Sequence, residues 1–291
     1  MSIADFYINN LKKLQLIPII ILVISMGSLF YAYSTTGQFL DKDISLKGGS
    51  TITINTDKDT TNIESFLNSR FGNAEFSVRK LTKFGTSVPE GVIIETNFDK
   101  IDDIKAALED FLKIKLTNNN FSVEITGASL GKAFSSQIII AMIFAFIFMA
   151  IVIFITFRVF VPSVAVIFAA IFDMIVAMAG MNILGIKLSI STAAALLLLI
   201  GYSVDTDILL TTKILKRKTS GNLNDRIFES IKTGTTMTFT AIAALLVGYF
   251  LTNSYVMKAM FMVILMGLFA DLFSTWLVNV YLLKAYAEKH G

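Results

Sequence analysis

Four aspartates stand inside long apolar runs: Asp173 in IFDMIVAMAG, Asp205 and Asp207 in IGYSVDTDILL, and Asp271 in GLFADLFSTW. An ionised carboxylate at the centre of a bilayer costs at least about 2.5–3.5 kcal/mol on insertion scales. Arg158, Lys187 and Lys258 fall between the runs and Lys213 at an edge, so no cation of the same runs neutralises the acids at depth. Their charge must be relieved by a proton, by a bound cation such as sodium, or by a water-filled crevice. Reversible loading of a small cation is the chemistry these residues suit. Zero cysteines exclude disulfides, thiol catalysis and thiolate metal sites. No catalytic residue, metal ligand set or cofactor motif is expected, and the chain is not expected to be an enzyme.

Helical geometry separates the acids into roles. At about 100° per residue, Asp205 and Asp207 point to nearly opposite sides of one helix. Gly201, Asp205, Ile208 and Thr212 share one face, where Gly201 admits a neighbouring backbone beside the acid. Ser203, Asp207 and Thr211 share the other, where Ser203 and Thr211 lie one turn either side of Asp207 and can hydrogen-bond it. Asp205 is therefore expected to be the coupling acid and Asp207, nearer the basic end, a supporting or entrance group. Asp173, between Ala169 and Ala177, suits close helix packing as well as ion coupling. The competing expectation for all four is a purely structural one, interhelical hydrogen bonding.

Six apolar stretches long enough to span a bilayer must position these residues, at 15–34, 137–157, 161–182, 188–211, 234–252 and 257–283. The first is too long for a signal-peptide core and is expected to be an uncleaved anchor. Of the 47 charged side chains (25 basic plus 22 acidic), 26 fall within residues 35–135, which predicts one water-exposed domain on an otherwise apolar chain. Basic residues concentrate at Lys12, Lys13, Arg158, the 212–233 loop, Lys284 and Lys289, whereas the short loops on the opposite side carry only Lys187 and Lys258. The positive-inside rule then puts both termini in the cytoplasm and residues 35–135 outside. A net charge of +3 gives no reason to expect nucleic acid; the basic loop suits anionic lipid headgroups.

Within 35–135, STITIN, AEFSVRKL, GVIIETN and FSVEITGA read as strands. DTTNIESFLNSRFG, capped at Thr60 or Thr61, and DKIDDIKAALEDFLKIKL read as helices. The order β-α-β-β-α-β predicts a ferredoxin-like α+β domain, a docking rather than a catalytic fold. The fold class expected is a polytopic α-helical membrane protein of six spans, one before the external domain and five after it. Its parts are 1–34, 35–135 and 136–291.

Three stretches carry a resemblance to the SecF side of the SecD–SecF protein-export family, in the resistance-nodulation-division (RND) superfamily, of archaeal type. DISLKGGSTITI, with Gly48 and Gly49, is similar to the family's glycine-pair signature after the first span. IGYSVDTDILLTTKILKRK, with Gly201, is similar to its fourth-span block, although the bacterial pattern places its acid at Thr206, between the two acids here. TGTTMTFTAIAALLVGYF and MGLFADLFSTW are similar to its fifth and sixth spans. The third span of the family often pairs His with Asp, where this chain has Phe172 before Asp173. The resemblance implies an accessory subunit that works with a SecD homologue at the Sec channel. It implies that a proton or sodium ion moving through the acids drives the external domain, which holds the emerging polypeptide.

Two rivals are weighed. An RND-type exporter of small molecules or lipids duplicates the six-span unit within one chain, which this chain does not. An intramembrane aspartyl protease needs two facing acids, which from Asp205 only Asp173 or Asp271 can supply, and its GxGD motif is absent from GYSVDTD.

Overall fold

The protein is described by a computed structural model covering residues 3–72, 74, 76–82, 89–216, 222–252 and 254–290. The turn at 83–88 and the centre of the basic loop, with Arg217 and Lys218, lie outside the described residues. An amphipathic helix α1 (Ile3–Leu14) leads into α2 (Leu16–Thr36), a short α3 (Ile44–Lys47) and strand β1 (Gly49–Asn55). Then follow α4 (Ile63–Arg70), β2 (Phe76–Thr82), β3 (Pro89–Thr96), α5 (Ile101–Leu112) and β4 (Phe121–Thr126). Five long helical stretches complete the chain: α6 (Ala128–Phe157), α7 (Phe160–Leu184), α8 (Ile190–Thr211), α9 (Leu223–Leu251) and α10 (Tyr255–Phe273). Helix α8 runs into a π-helical turn, Thr212–Lys216, and α10 into another, Ser274–Asn279, before α11 (Val280–His290).

Among the described residues, six helical stretches are long and apolar enough to cross a membrane, and each overlaps one of the expected spans. Helices α7, α8 and α10 pack together around Val166, Ala170, Leu196, Leu199, Val263 and Leu268, while α6 and α9 leave most of their apolar surface exposed. The Ala169–Ala177 ladder around Asp173 is buried, as close helix packing requires.

The four strands form one antiparallel sheet in the order β2-β3-β1-β4. Alternation decides its faces: Ile52 and Ile54 of β1, with Val92 and Ile94 of β3, are fully buried beneath Ile63, Leu67, Ile104 and Leu108 of the two helices. The cap expected at Thr60 or Thr61 is not made. Asn62 occupies the cap position, and Thr61 instead bonds the Asp59 carboxylate.

A narrow seam joins the sheet domain to the helices. The segment after α2 runs beside the α7–α8 connection, where Leu188 N–H donates to the Asp41 carbonyl (2.7 Å) and Asp43 N–H to that of Leu188 (2.8 Å). Gly48 (φ 84°) and Gly49 (φ 145°) form the wedge on the other side. A Cβ on Gly48 would lie 2.5 Å from the Ala128 Cα, and one on Gly49 2.5 Å from the Thr96 carbonyl oxygen. Only glycine combines these dihedrals with such close approach.

Candidate functional site: three buried acids on three helices

The packing of α7, α8 and α10 brings Asp173, Asp207 and Asp271 together, each with no solvent-accessible surface. Their partners are hydroxyls and one amide. Ser203 Oγ donates to Asp173 Oδ2 (2.5 Å) and Ser274 Oγ to Asp173 Oδ1 (2.8 Å). Thr206 Oγ1 lies 3.1–3.2 Å from both oxygens of Asp271 and 2.8 Å from the Ser203 carbonyl. Thr275 Oγ1 lies 2.8 Å from Asp271 Oδ1 and 3.0 Å from Asp207 Oδ1, which also receives Asn279 Nδ2 at 2.6 Å. The acids and polar groups of α8, α10 and the π turn thus form one continuous network reaching across to α7.

The π turn supplies three of these donors. Closing i→i+5, it brings Ser274, Thr275 and Asn279 onto the acid side of one helical segment, a use for which such turns recur at functional sites. Trp276 of the same turn fills the space beside Gly234 of α9, and its carbonyl accepts from Tyr7 of α1.

Asp205 lies apart. It is exposed on the opposite face of α8, beside exposed Gly201 and Tyr202. The helical-wheel separation of Asp205 from Asp207 holds, but the expectation that Asp205 occupies the packed position is reversed. The face bearing Ser203, Thr206, Asp207 and Thr211 is the one buried against α7 and α10. Nor does Gly201 receive a neighbouring backbone, since nothing of the described chain comes within 4 Å of its Cβ position. Ser203 bonds Asp173 rather than Asp207, because α7 meets α8 at that level. Thr211 is buried, with its hydroxyl unpartnered among the described residues. The sequence reading did not single out Ser274, Thr275 or Asn279, although Asp271, Thr275 and Asn279 recur at i, i+4 and i+8.

A single hydroxyl carries one hydrogen. Thr275 can donate to Asp207 or to Asp271, and its other contact is satisfied when the second acid holds a proton and donates to Thr275. Two acids thus compete for the single hydrogen of Thr275. The Asp207 Oδ2, Asn279 Oδ1 and Thr211 Oγ1 atoms remain without partners among the described residues, a reserve of oxygen acceptors beside that bridge.

Residues 104–289 match the family model described as protein export membrane protein SecD/SecF, C-terminal. The chain belongs to the SecD/SecF family of protein-export membrane proteins. It is 38% identical to the protein-export membrane protein SecF of Pyrococcus furiosus, over 96% of this chain and 92% of that one. It is 35% identical to SecF of Methanocaldococcus jannaschii, over 97% and 98%. In fold it is similar to SecDF of Thermus thermophilus, described as a translocon-associated membrane protein, with a TM-score of 0.77 at 18% identity. That match takes in 99% of this chain and 40% of SecDF, so the chain spans well under half of the longer protein. Membership of the SecD/SecF family makes this a multi-pass membrane protein of protein transport, consistent with its six long apolar helices.

Proposed function

We propose that the chain is the SecF-type accessory subunit of a Sec-dependent export system, paired with a SecD homologue and driven by a cation that moves through Asp173, Asp207 and Asp271. The observation carrying this reading is the network itself: three fully buried acids on three helices, joined by Ser203, Thr206, Ser274, Thr275 and Asn279. Structural hydrogen bonding alone needs no titratable groups, whereas loading and unloading a cation does.

In this reading both termini are cytoplasmic and the domain at 35–135 is external, as the basic residues direct. Its β2-β3-β1-β4 order supports a ferredoxin-like fold. One span before it and five after it make the chain one half of a pseudo-symmetric assembly. The exposed Gly201–Tyr202–Asp205 face of α8 is then the surface a SecD homologue covers, since an acid facing hydrocarbon needs a partner. Loading the acids repacks α7, α8 and α10, and the seam at Asp41–Leu188 passes that movement to the external domain, which holds emerging polypeptide at the Sec channel.

The test is translocation into vesicles carrying this chain, a SecD homologue and the Sec channel, under an imposed proton or sodium gradient. Asp207→Asn and Asp271→Asn are expected to abolish the gradient-dependent part and leave the rest. Gradient-dependent export that survives both substitutions rules out coupling through this network.

A further inference from the structure

Away from the intramembrane acids, a buried carboxyl and a half-buried one meet at the seam between the sheet domain and the helices. Glu95 of β3 is 5% exposed, and Asp43 lies in the segment joining α2 to α3. Arg79 of β2 meets both: Nη1 is 2.6 Å from Glu95 Oε1 and Nη2 is 3.7 Å from Asp43 Oδ1. Lys187, from the α7–α8 connection, stands 3.9 Å from Glu95 Oε2, and the Arg79 guanidinium lies 4.1 Å above the ring of Tyr255, the first residue of α10. These charged groups come from the sheet, from the connecting segment and from the helix bundle.

Two oxygens of this cluster, Glu95 Oε2 and Asp43 Oδ1, are buried without a hydrogen-bond partner among the described residues. Lys187 and Arg79 approach them only at ion-pair distance, beyond hydrogen-bonding range. Arg79 thus gathers the two carboxyls on one guanidinium, with an unpartnered oxygen of each buried in the same cluster. A hydrogen placed between them satisfies both at once; without it, two like charges share a buried site. An open cleft of about 630 Å³, lined in part by Asp41, Lys42, Ser77, Glu95 and Lys187, gives solvent a route to Glu95.

We propose that Glu95 and Asp43 hold a shared proton at this seam, and that its presence decides how firmly the sheet domain is docked on the α7–α8 connection and α10. With the proton bound, Glu95 donates to Asp43, and Arg79 bridges the pair to Tyr255. Without it, Asp43 and Glu95 repel each other and the seam loosens. Burial and the hydrogen bond to Asp43 push the Glu95 carboxyl up to about 7, against the opposing charge of Arg79. Released from the seam, Glu95 returns to the ordinary carboxylate range near 4.5. The docked form thus binds the proton more tightly. Docking is strongest below pH 4.5, weakens by up to about tenfold per pH unit as pH rises to 7, and is level above that. This device does not depend on the export role or on the intramembrane acids.

The chain has no cysteine, so a pair of spin labels reads the seam directly. Labels at Ser122→Cys on β4 and Leu184→Cys at the end of α7, both exposed, report the distance between domain and bundle in the full chain reconstituted in nanodiscs. A single docked distance is expected at pH 4.5, with a second, broader population growing up to pH 7. Glu95→Gln, whose amide can donate to Asp43 without titrating, is expected to stay docked throughout. Asp43→Asn is expected to move the response down by about one pH unit or more. A distance distribution unchanged between pH 4.5 and 8 overturns the proposal. So does a Glu95→Gln protein that keeps the original response. Should Glu95→Gln fail to fold, an unshifted response in Asp43→Asn overturns it equally.

Discussion

Thr275 sets its one hydroxyl between two acids, 2.8 Å from Asp271 and 3.0 Å from Asp207. Valine has the same outline without the hydroxyl. Thr275→Val is expected to leave two buried carboxyls short of a partner, at a cost of about 1–3 kcal/mol. Gradient-driven export should fall as far as in Asp207→Asn, while Thr275→Ser keeps it. Thermal unfolding of the purified chain and vesicle translocation measure the two effects. Full export by Thr275→Val would remove the bridge from the mechanism.

Asp205 and Asp207 are two residues apart and should respond oppositely to the same substitution. Asp205→Asn, on an exposed face, is expected to change the stability of the isolated chain by no more than about 0.5 kcal/mol. Its effect belongs to assembly, read as reduced recovery of a SecD homologue in co-purification. Asp207→Asn should leave that recovery intact and stop ion coupling. An Asp205→Asn protein that pairs normally would mean that some other surface meets the partner.

Gly48→Ala introduces a Cβ 2.5 Å from a backbone carbon at a φ of 84°. We expect a loss of about 1–3 kcal/mol, concentrated at the seam, visible as protease cleavage near residues 37–48 before the helices unfold. Gly201→Ala, with open space around it, is the control and should be neutral in the isolated chain.

Stability should also report on Glu95. Because its folded-state value is raised to about 7, the folded chain binds a proton that the unfolded chain sheds near 4.5. Thermal stability should therefore be full below pH 4.5 and decline as pH rises to 7. Glu95→Gln should flatten that slope. An equal slope in the wild-type and substituted chains would assign it to other groups.

The membrane architecture was legible because length and hydropathy alone determine it: every expected span overlaps a helix of the structure. The domain's first strand was equally plain, since Ile52 and Ile54 alternate with threonines and bury one face. The interior side of α8 was not legible from its acids. In a membrane helix both the packed and the lipid-facing sides are apolar, so a wheel separates Asp205 from Asp207 without saying which is inside. Small polar residues carried that information. Ser203, Thr206, Asp207 and Thr211 form a stripe that hydrogen-bonding neighbours must cover, while Asp205 shares its side with Gly201 and Ile208. The role of Asn279 was hidden for a different reason, because it depends on a π turn that hydropathy does not reveal.

That turn has a consequence at the far end of the chain. Its surplus residue sets everything from Val280 onward about 100° out of phase with α10. Val280 and Leu283 owe to this offset their contact with Leu11 of the N-terminal helix, and Tyr7 of that helix grips the Trp276 carbonyl inside the turn. Relaxing the turn to an ordinary helix would swing Asn279 off the Asp207 carboxylate and unseat the N-terminal helix in one rotation. The amide that holds Asp207 and the grip of the first helix are therefore geared to the same shaft.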